Sequence, residues 1–201
     1  MMLGLGGELS KRFFEEIRPL GDIARHKYPG RPGLSLCPKT AYQDYDAEII
    51  DRTSGEEKIA RIEFVSTFRD EKLALRLEYL SLHEVVPMAG PVGRDGTKAS
   101  GGQIHAELDW ENDQSRFEDL VAACEERLAK KLRKPYPPET ILAIVFDDWG
   151  IQEQALPQIK LYFHDVLSKQ ALGKFRGLFI LGSSGRTFWE LGDTSTLPRS
   201  C

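Results

Sequence analysis

Glu63 lies in the run Lys58-Ile-Ala-Arg-Ile-Glu-Phe-Val-Ser66, a carboxylate set among Ile62, Phe64 and Val65. An ionised carboxylate in a buried strand is costly unless it is paired or holds a cation, so this acid marks a candidate site. A second acid, Asp46, opens the preceding run Asp46-Ala-Glu-Ile-Ile-Asp-Arg52. Its structural reading is a turn or strand-entry residue that bonds its own neighbourhood. Asp44 takes its place if the register moves by two. Arg61 and Val65 share the face of Glu63 at period two. Glu78 stands two residues after Arg76, as a third ligand or, more simply, half of an exposed ion pair.

Other candidates have bland readings beside the chemical one. His105, Glu107 and Asp109 recur at period two and offer metal-ligating groups, yet such a stripe is ordinarily the wet face of a strand. Arg127, Lys130, Lys131, Arg133 and Lys134 form a basic cluster suited to a phosphate backbone. Cations are also favoured in the last turn of any helix. His26, His83 and His164 have no matching partners nearby in sequence, and Gly182-Ser-Ser-Gly185 lacks the lysine of a phosphate-binding loop and reads as a turn.

The elements that must position these groups follow from periodicity. Residues 8 to 28 read as a helix with Leu9, Phe13, Phe14, Ile17, Leu20 and Ile23 inward and Lys11, Arg12, Glu15 and Glu16 facing out. Leu34 to Tyr42 allows a short strand. Residues 45 to 52 and 58 to 67 read as an antiparallel pair across Thr53-Ser-Gly55, and period two in 72 to 83 favours a third strand, although its Leu and Arg content would tolerate a helix. Gly- and Pro-rich residues 85 to 102 read as a loop or excursion, and 103 to 110 alternate as a half-exposed strand. Asp113 to Lys134 is a helix with Phe117, Leu120, Val121, Cys124, Leu128 and Leu132 as its stripe, stopped by Pro135, Pro137 and Pro138. Ile141 to Phe146 reads as a strand covered on both faces. A helix from about Pro157 to Phe175, with Leu161, Val166, Leu167 and Leu172 inward, and a strand from Gly177 to Leu181 complete the order. The expected class is α/β, a mixed central sheet flanked by helices.

With its acids placed in this order, the chain resembles the restriction-endonuclease-like superfamily, the PD-(D/E)xK nucleases, over roughly residues 8 to 181. In that family a core of helix, three strands, helix and strand holds one or two divalent ions. Tyr45-Asp46 stands for the Pro-Asp pair and Glu63-Phe64-Val65 for the (D/E)xK element. Val65 occupies the place of the family's lysine. Some members carry that lysine on the following helix. Lys131, seven residues after Cys124, borders the apolar stripe, where its stem can be buried and its ammonium brought to the sheet's edge. Arg61 is the other available cation.

The resemblance implies Mg²⁺-dependent hydrolysis of nucleic-acid phosphodiesters, with Asp46 and Glu63 as metal ligands and Lys131 completing the catalytic set. Nucleic acid and, since many relatives dimerise, a second copy are the implied partners. The alternative is a catalytically inactive relative serving as a binding or assembly module. The absent strand lysine and the acidic isoelectric point near 5.7 favour it.

Composition sets the outer bounds. At 201 residues, 41% of them hydrophobic, the chain suits a single domain over 1–201 with a loop or hairpin insertion at about 85–112. A net charge of −4 argues against a protein coated in basic charge, though not against a local basic patch. No apolar run approaches the roughly 20 residues of a membrane span, and no signal peptide is read at the N-terminus. Cys37, Cys124 and Cys201 are few and widely spaced, which suits a reducing cytoplasm and offers no zinc pattern.

Overall fold

The computed structural model describes residues 12–39, 44–53, 55, 57–67, 75, 78–79, 82–83, 92–97, 100–106, 113–148 and 151–192. Its centre is a six-stranded mixed sheet. The strands are β1 (Leu34–Pro38), β2 (Ala47–Asp51), β3 (Lys58–Ser66), β6 (Thr140–Phe146), β7 (Gly177–Gly182) and β8 (Phe188–Gly192), and they lie side by side in that order. β1, β2 and β3 form an antiparallel meander, β3, β6 and β7 run parallel, and β8 closes the far edge antiparallel. A separate hairpin pairs β4 (Val92–Arg94) with β5 (Ile104–Ala106). No described helix is long and apolar enough to cross a membrane.

Strand alternation deals side chains to two cores. On one face Val65, Leu142, Ile144, Phe146, Leu178 and Ile180 pack against two helices. These are α2 (Asp113–Leu132), contributing Leu120, Cys124 and Leu128, and α3, which runs from Leu156–Tyr162 through Phe163–Leu167 to Ser168–Ala171. On the other face Ile62, Phe64, Ala143, Val145, Phe179 and Leu181 meet Leu20 and Ile23 of α1 (Arg18–Lys27). Every residue of β6 is buried, as its unbroken apolar run predicts for a strand covered on both faces.

Three expectations are corrected. The described residues of 72–83 (Leu75, Glu78, Tyr79, Leu82 and His83) are helical, and none of these five joins the sheet. The third member of the antiparallel set is instead β1. Leu, Ala, Arg and Glu are all good helix formers, which accounts for helix at the described positions. In the first helical segment, Phe13 and Ile17 are exposed while Leu20 and Ile23 are buried. In α3 and the turn after it, Leu161, Val166 and Leu172 face outward, and Ile159, Phe163, Leu167, Ala171 and Phe175 face the core.

Both helix corrections have one cause. Each of these helices contains a π-turn, Phe13–Ile17 ahead of α1 and Phe163–Leu167 within α3. A π-turn holds one residue more than an α-turn and rotates the helix on its N-terminal side relative to the helix on its C-terminal side. A stripe drawn at constant 3.6-residue spacing then lands on the wrong side.

Candidate functional site

Asp46 immediately precedes β2 and is fastened to β3 on both sides of Glu63. Its N–H donates to Ile62 O at 2.9 Å, and its Oδ2 accepts the Phe64 N–H at 2.7 Å. The carboxylate thus takes over as acceptor where the β2 ladder stops. This is the strand-entry role the residue type allows, and it also fixes the acid against the backbone that carries Glu63. Asp44, two residues earlier, is exposed.

Glu63 sits mid-strand, opposite Leu142 of β6, and is only 5% exposed. Its Oε1 accepts two hydrogen bonds. One comes from Nζ of Lys131 and the other from the Tyr136 hydroxyl at 3.1 Å. Lys131 reaches it because Cys124, Leu128 and Lys131 follow one another along the α2 stripe, so the stem lies against the core while the ammonium projects past it. Val65, at the place of a strand lysine, is buried in the apolar cluster beneath α2. The cation beside Glu63 therefore comes from the helix.

A third carboxylate flanks the pair. Glu16, on the π-turn ahead of α1, bonds Arg12 at 3.0 Å, and Arg12 also donates to Lys39 O. Burial raises the Glu16 carboxyl above its ordinary value. Arg12 works against this, Asp46 adds to it, and Lys131 lowers it. Glu16 is half-buried and feels the charges of Asp46 and Lys131, not turned outward as a uniform helix would place it.

Burial is also the main cause that raises Glu63, with the Asp46 charge adding to it, and Lys131 and Tyr136 oppose the shift. Burial and the neighbouring Glu63 push the Tyr136 phenol up, so it stays protonated and donates. Three carboxylates, Glu16, Asp46 and Glu63, face two cations, Arg12 and Lys131, which leaves a local negative surplus. Such a site favours an added cation. Hard-oxygen ligands on a rigid strand suit Mg²⁺, which commonly takes one or two protein carboxylates and completes its shell with water and phosphate. Asp46 and Glu63 are the two residues here that could hold such an ion. Among the described residues, no group of three or more His, Cys, Asp or Glu side chains is arranged as a metal cage.

The remaining candidates go elsewhere. Arg61 places its guanidinium 5.6 Å from the Tyr45 ring centroid and acts on Glu48. Glu48 itself bonds Tyr45 at 2.6 Å and Lys39 at 2.6 Å. Glu78 pairs with Arg94 of β4 at 2.7 Å. His105 is an outward residue of β5, 3.7 Å from Asp95, and Glu107 and Asp109 lie outside the described residues. His26 stacks on Phe188, His83 lies against Tyr79 and His164 bonds its neighbour Asp165.

Lys130, Arg133 and Lys134 surround the end of α2, and Lys130 bonds Glu126. Burial pushes the Cys124 thiol up to about 12, which disqualifies it as a nucleophile. The Gly182–Gly185 segment is a turn that closes around Asp148. That carboxylate is 1% exposed and accepts from the Ser184 N–H at 2.6 Å, the Ser184 hydroxyl at 2.5 Å and the Thr187 hydroxyl at 3.1 Å.

Two members of the site escape a reading of the sequence. Glu16 is hidden by the π-turn, and Tyr136 stands in the Pro135-Tyr-Pro-Pro138 segment that otherwise signals only the end of a helix. A polar aromatic held between prolines beside a lysine-rich helix end is the signal that could have found it. Compared with family models, curated proteins and solved structures, the chain matches none of them.

Proposed function

We propose that this protein is a metal-dependent nuclease of the PD-(D/E)xK type that hydrolyses phosphodiester bonds in nucleic acid. The observation that carries the reading is the fastening of Asp46 around Glu63, with the Lys131 ammonium on the Glu63 carboxylate. The element order supports it: a helix, an antiparallel meander, a helix crossing to a parallel strand, and a further helix and strand.

Asp46 and Glu63 would hold Mg²⁺. When bound, the ion would neutralise charge on the scissile phosphate and lower the pKa of a water. Asp46 and Glu63 supply oxygens whose positions are set by backbone bonds of the sheet. Lys131, one end of its stem in the core, brings a positive charge to the place where negative charge develops in phosphoryl transfer. Glu16 adds to the negative field that draws a cation in. Lys130, Arg133 and Lys134 give the same helix end a basic rim for the phosphate backbone.

The test is cleavage of single- and double-stranded DNA and RNA by purified protein with Mg²⁺ or Mn²⁺, beside cation binding by calorimetry. Loss of both cleavage and cation binding in Glu63→Gln supports the proposal. Wild-type protein that binds no divalent ion and leaves all four substrates intact overturns it.

A second reading has one observation in its favour. Lys131 already serves as the counter-charge of a buried acid, so the cluster is self-consistent as a structural pair on a binding module. That reading expects Asp46→Asn and Glu63→Gln to leave cellular function intact.

A further inference from the structure

Glu63 has three side-chain rotors and two equivalent oxygens, and both of its described donors converge on Oε1. The two donors are built differently. Lys131 is a flexible stem anchored at one end, with its side chain still 22% exposed. Tyr136 is held on several sides. Its ring lies 5.1 Å from that of Phe175, which is buried. The Lys174 ammonium stands 5.4 Å from the ring centroid and is itself clamped onto the carbonyls of Leu132 and Lys134 at the end of α2. Pro135 and Pro137 restrict the backbone before and after it, and the Pro137 carbonyl accepts from the Thr140 hydroxyl at 2.7 Å as β6 begins.

We propose that Tyr136 is a positioning residue that locks Glu63 through Oε1 and so presents Oε2 to the cation. The inference rests on the nuclease reading of the same site and assigns a division of labour within it. A lysine that must turn toward water or phosphate cannot also be the sole anchor of a metal ligand. The rigid phenol keeps Glu63 in place while Lys131 moves. Losing a partner that orients a metal's ligand in this way typically costs about 10–100-fold in affinity for the ion or in activity.

The experiment uses the full chain and three forms: wild type, Tyr136→Phe and Lys131→Met. Tyr136→Phe keeps the ring against Phe175 and Lys174 and removes only the hydroxyl. Mn²⁺ binding is measured by calorimetry, and cleavage is measured as a function of metal concentration. Tyr136→Phe is expected to weaken Mn²⁺ binding by about tenfold and to raise the metal concentration for half-maximal cleavage equally. Its rate at saturating metal and its KM for nucleic acid stay near wild type. Lys131→Met is expected to do the opposite, losing rate while keeping Mn²⁺ affinity or gaining it.

Wild-type Mn²⁺ affinity in Tyr136→Phe overturns the assignment, as does a rate loss that saturating metal does not restore. If the wild type binds Mn²⁺ but cuts nothing, the nuclease reading falls while the calorimetric comparison still decides the role of Tyr136. If it binds no divalent ion, both fall.

Discussion

Lys131→Met isolates the counter-charge of Glu63. Methionine keeps an unbranched apolar stem at this position of α2 and deletes the ammonium. What remains is a carboxylate that is 5% exposed, beside Asp46, with the Tyr136 hydroxyl as its remaining described donor. Orphaning one partner of a buried pair costs about 3–5 kcal/mol, and the partial exposure of Lys131 argues for the lower end, about 3 kcal/mol. For a chain of this size that corresponds to a fall in Tm of roughly 6–12 °C.

The size of the loss must depend on pH. The Glu63 carboxyl is already raised by burial and by Asp46, and removing Lys131 takes away the strongest opposing charge. A carboxyl whose folded pKa lies above its unfolded one carries its penalty in the ionised state. That penalty is full above the folded pKa and vanishes below the unfolded one. The deficit of Lys131→Met should therefore be largest at about pH 8 and shrink steadily toward about pH 4.5.

Urea unfolding at fixed ionic strength across that range measures it, with equal m-values required between variants. Glu16, Asp46 and Tyr136 also border the site, so Glu63→Gln and the double variant Lys131→Met/Glu63→Gln serve as controls. The double variant should recover to within about 1 kcal/mol of Glu63→Gln alone, because the orphaned charge is gone. A deficit in mild alkali below roughly 0.5 kcal/mol, the range of ordinary surface changes, or one constant with pH, refutes the reasoning.

Three other outcomes are expected. Asp46→Asn keeps an oxygen to accept the Phe64 N–H, so its stability should stay within about 1 kcal/mol of wild type while cleavage falls at least about a hundredfold; Asp46→Ala should lose both, as thermal melting and a cleavage assay together would show. Asp148→Ala orphans the Ser184 N–H and two hydroxyls and should cost about 3 kcal/mol by urea titration, with Mn²⁺ affinity unchanged. Burial raises both Glu16 and Glu63 above the ordinary glutamate value in the metal-free protein, so a proton competes with a cation for Glu63. Mn²⁺ affinity measured by calorimetry should therefore fall as the pH is lowered toward that value, and Glu16→Gln should change the steepness of the fall.

Much of this site is readable from residue order because it depends on backbone periodicities that hold without exception there. Glu63 stands out against Ile62, Phe64 and Val65 because β3 is regular from Lys58 to Ser66. Lys131 is identifiable because α2 is unbroken from Asp113 to Leu132, so counting from Cys124 and Leu128 places it correctly. Glu16 reads as solvent-facing only because the same counting fails across Phe13–Ile17. Leu161 and Val166 read as core residues for the same reason at Phe163–Leu167. The strand expected over 72–83 fails for another reason. Leu73, Leu75, Leu77 and Tyr79 alternate by chance in a segment made of helix-favouring residues. Periodicity cannot place Tyr136 at all, since its position is set by the turn that joins α2 to β6.

The hairpin of β2 and β3 has its acids at one end and its connecting turn at the other. The ladder from Ala47↔Ile62 to Asp51↔Lys58 separates them by roughly 13–14 Å at the usual rise per residue. Spacing of the two carboxylates is therefore dictated by the ladder and not by the length of the connection. Lengthening the bend between Asp51 and Lys58, for instance to carry a fluorophore or an affinity handle, should leave the acidic end undisturbed. Insertion of a single residue between Ile59 and Glu63 would instead rotate the glutamate to the wrong surface of the sheet.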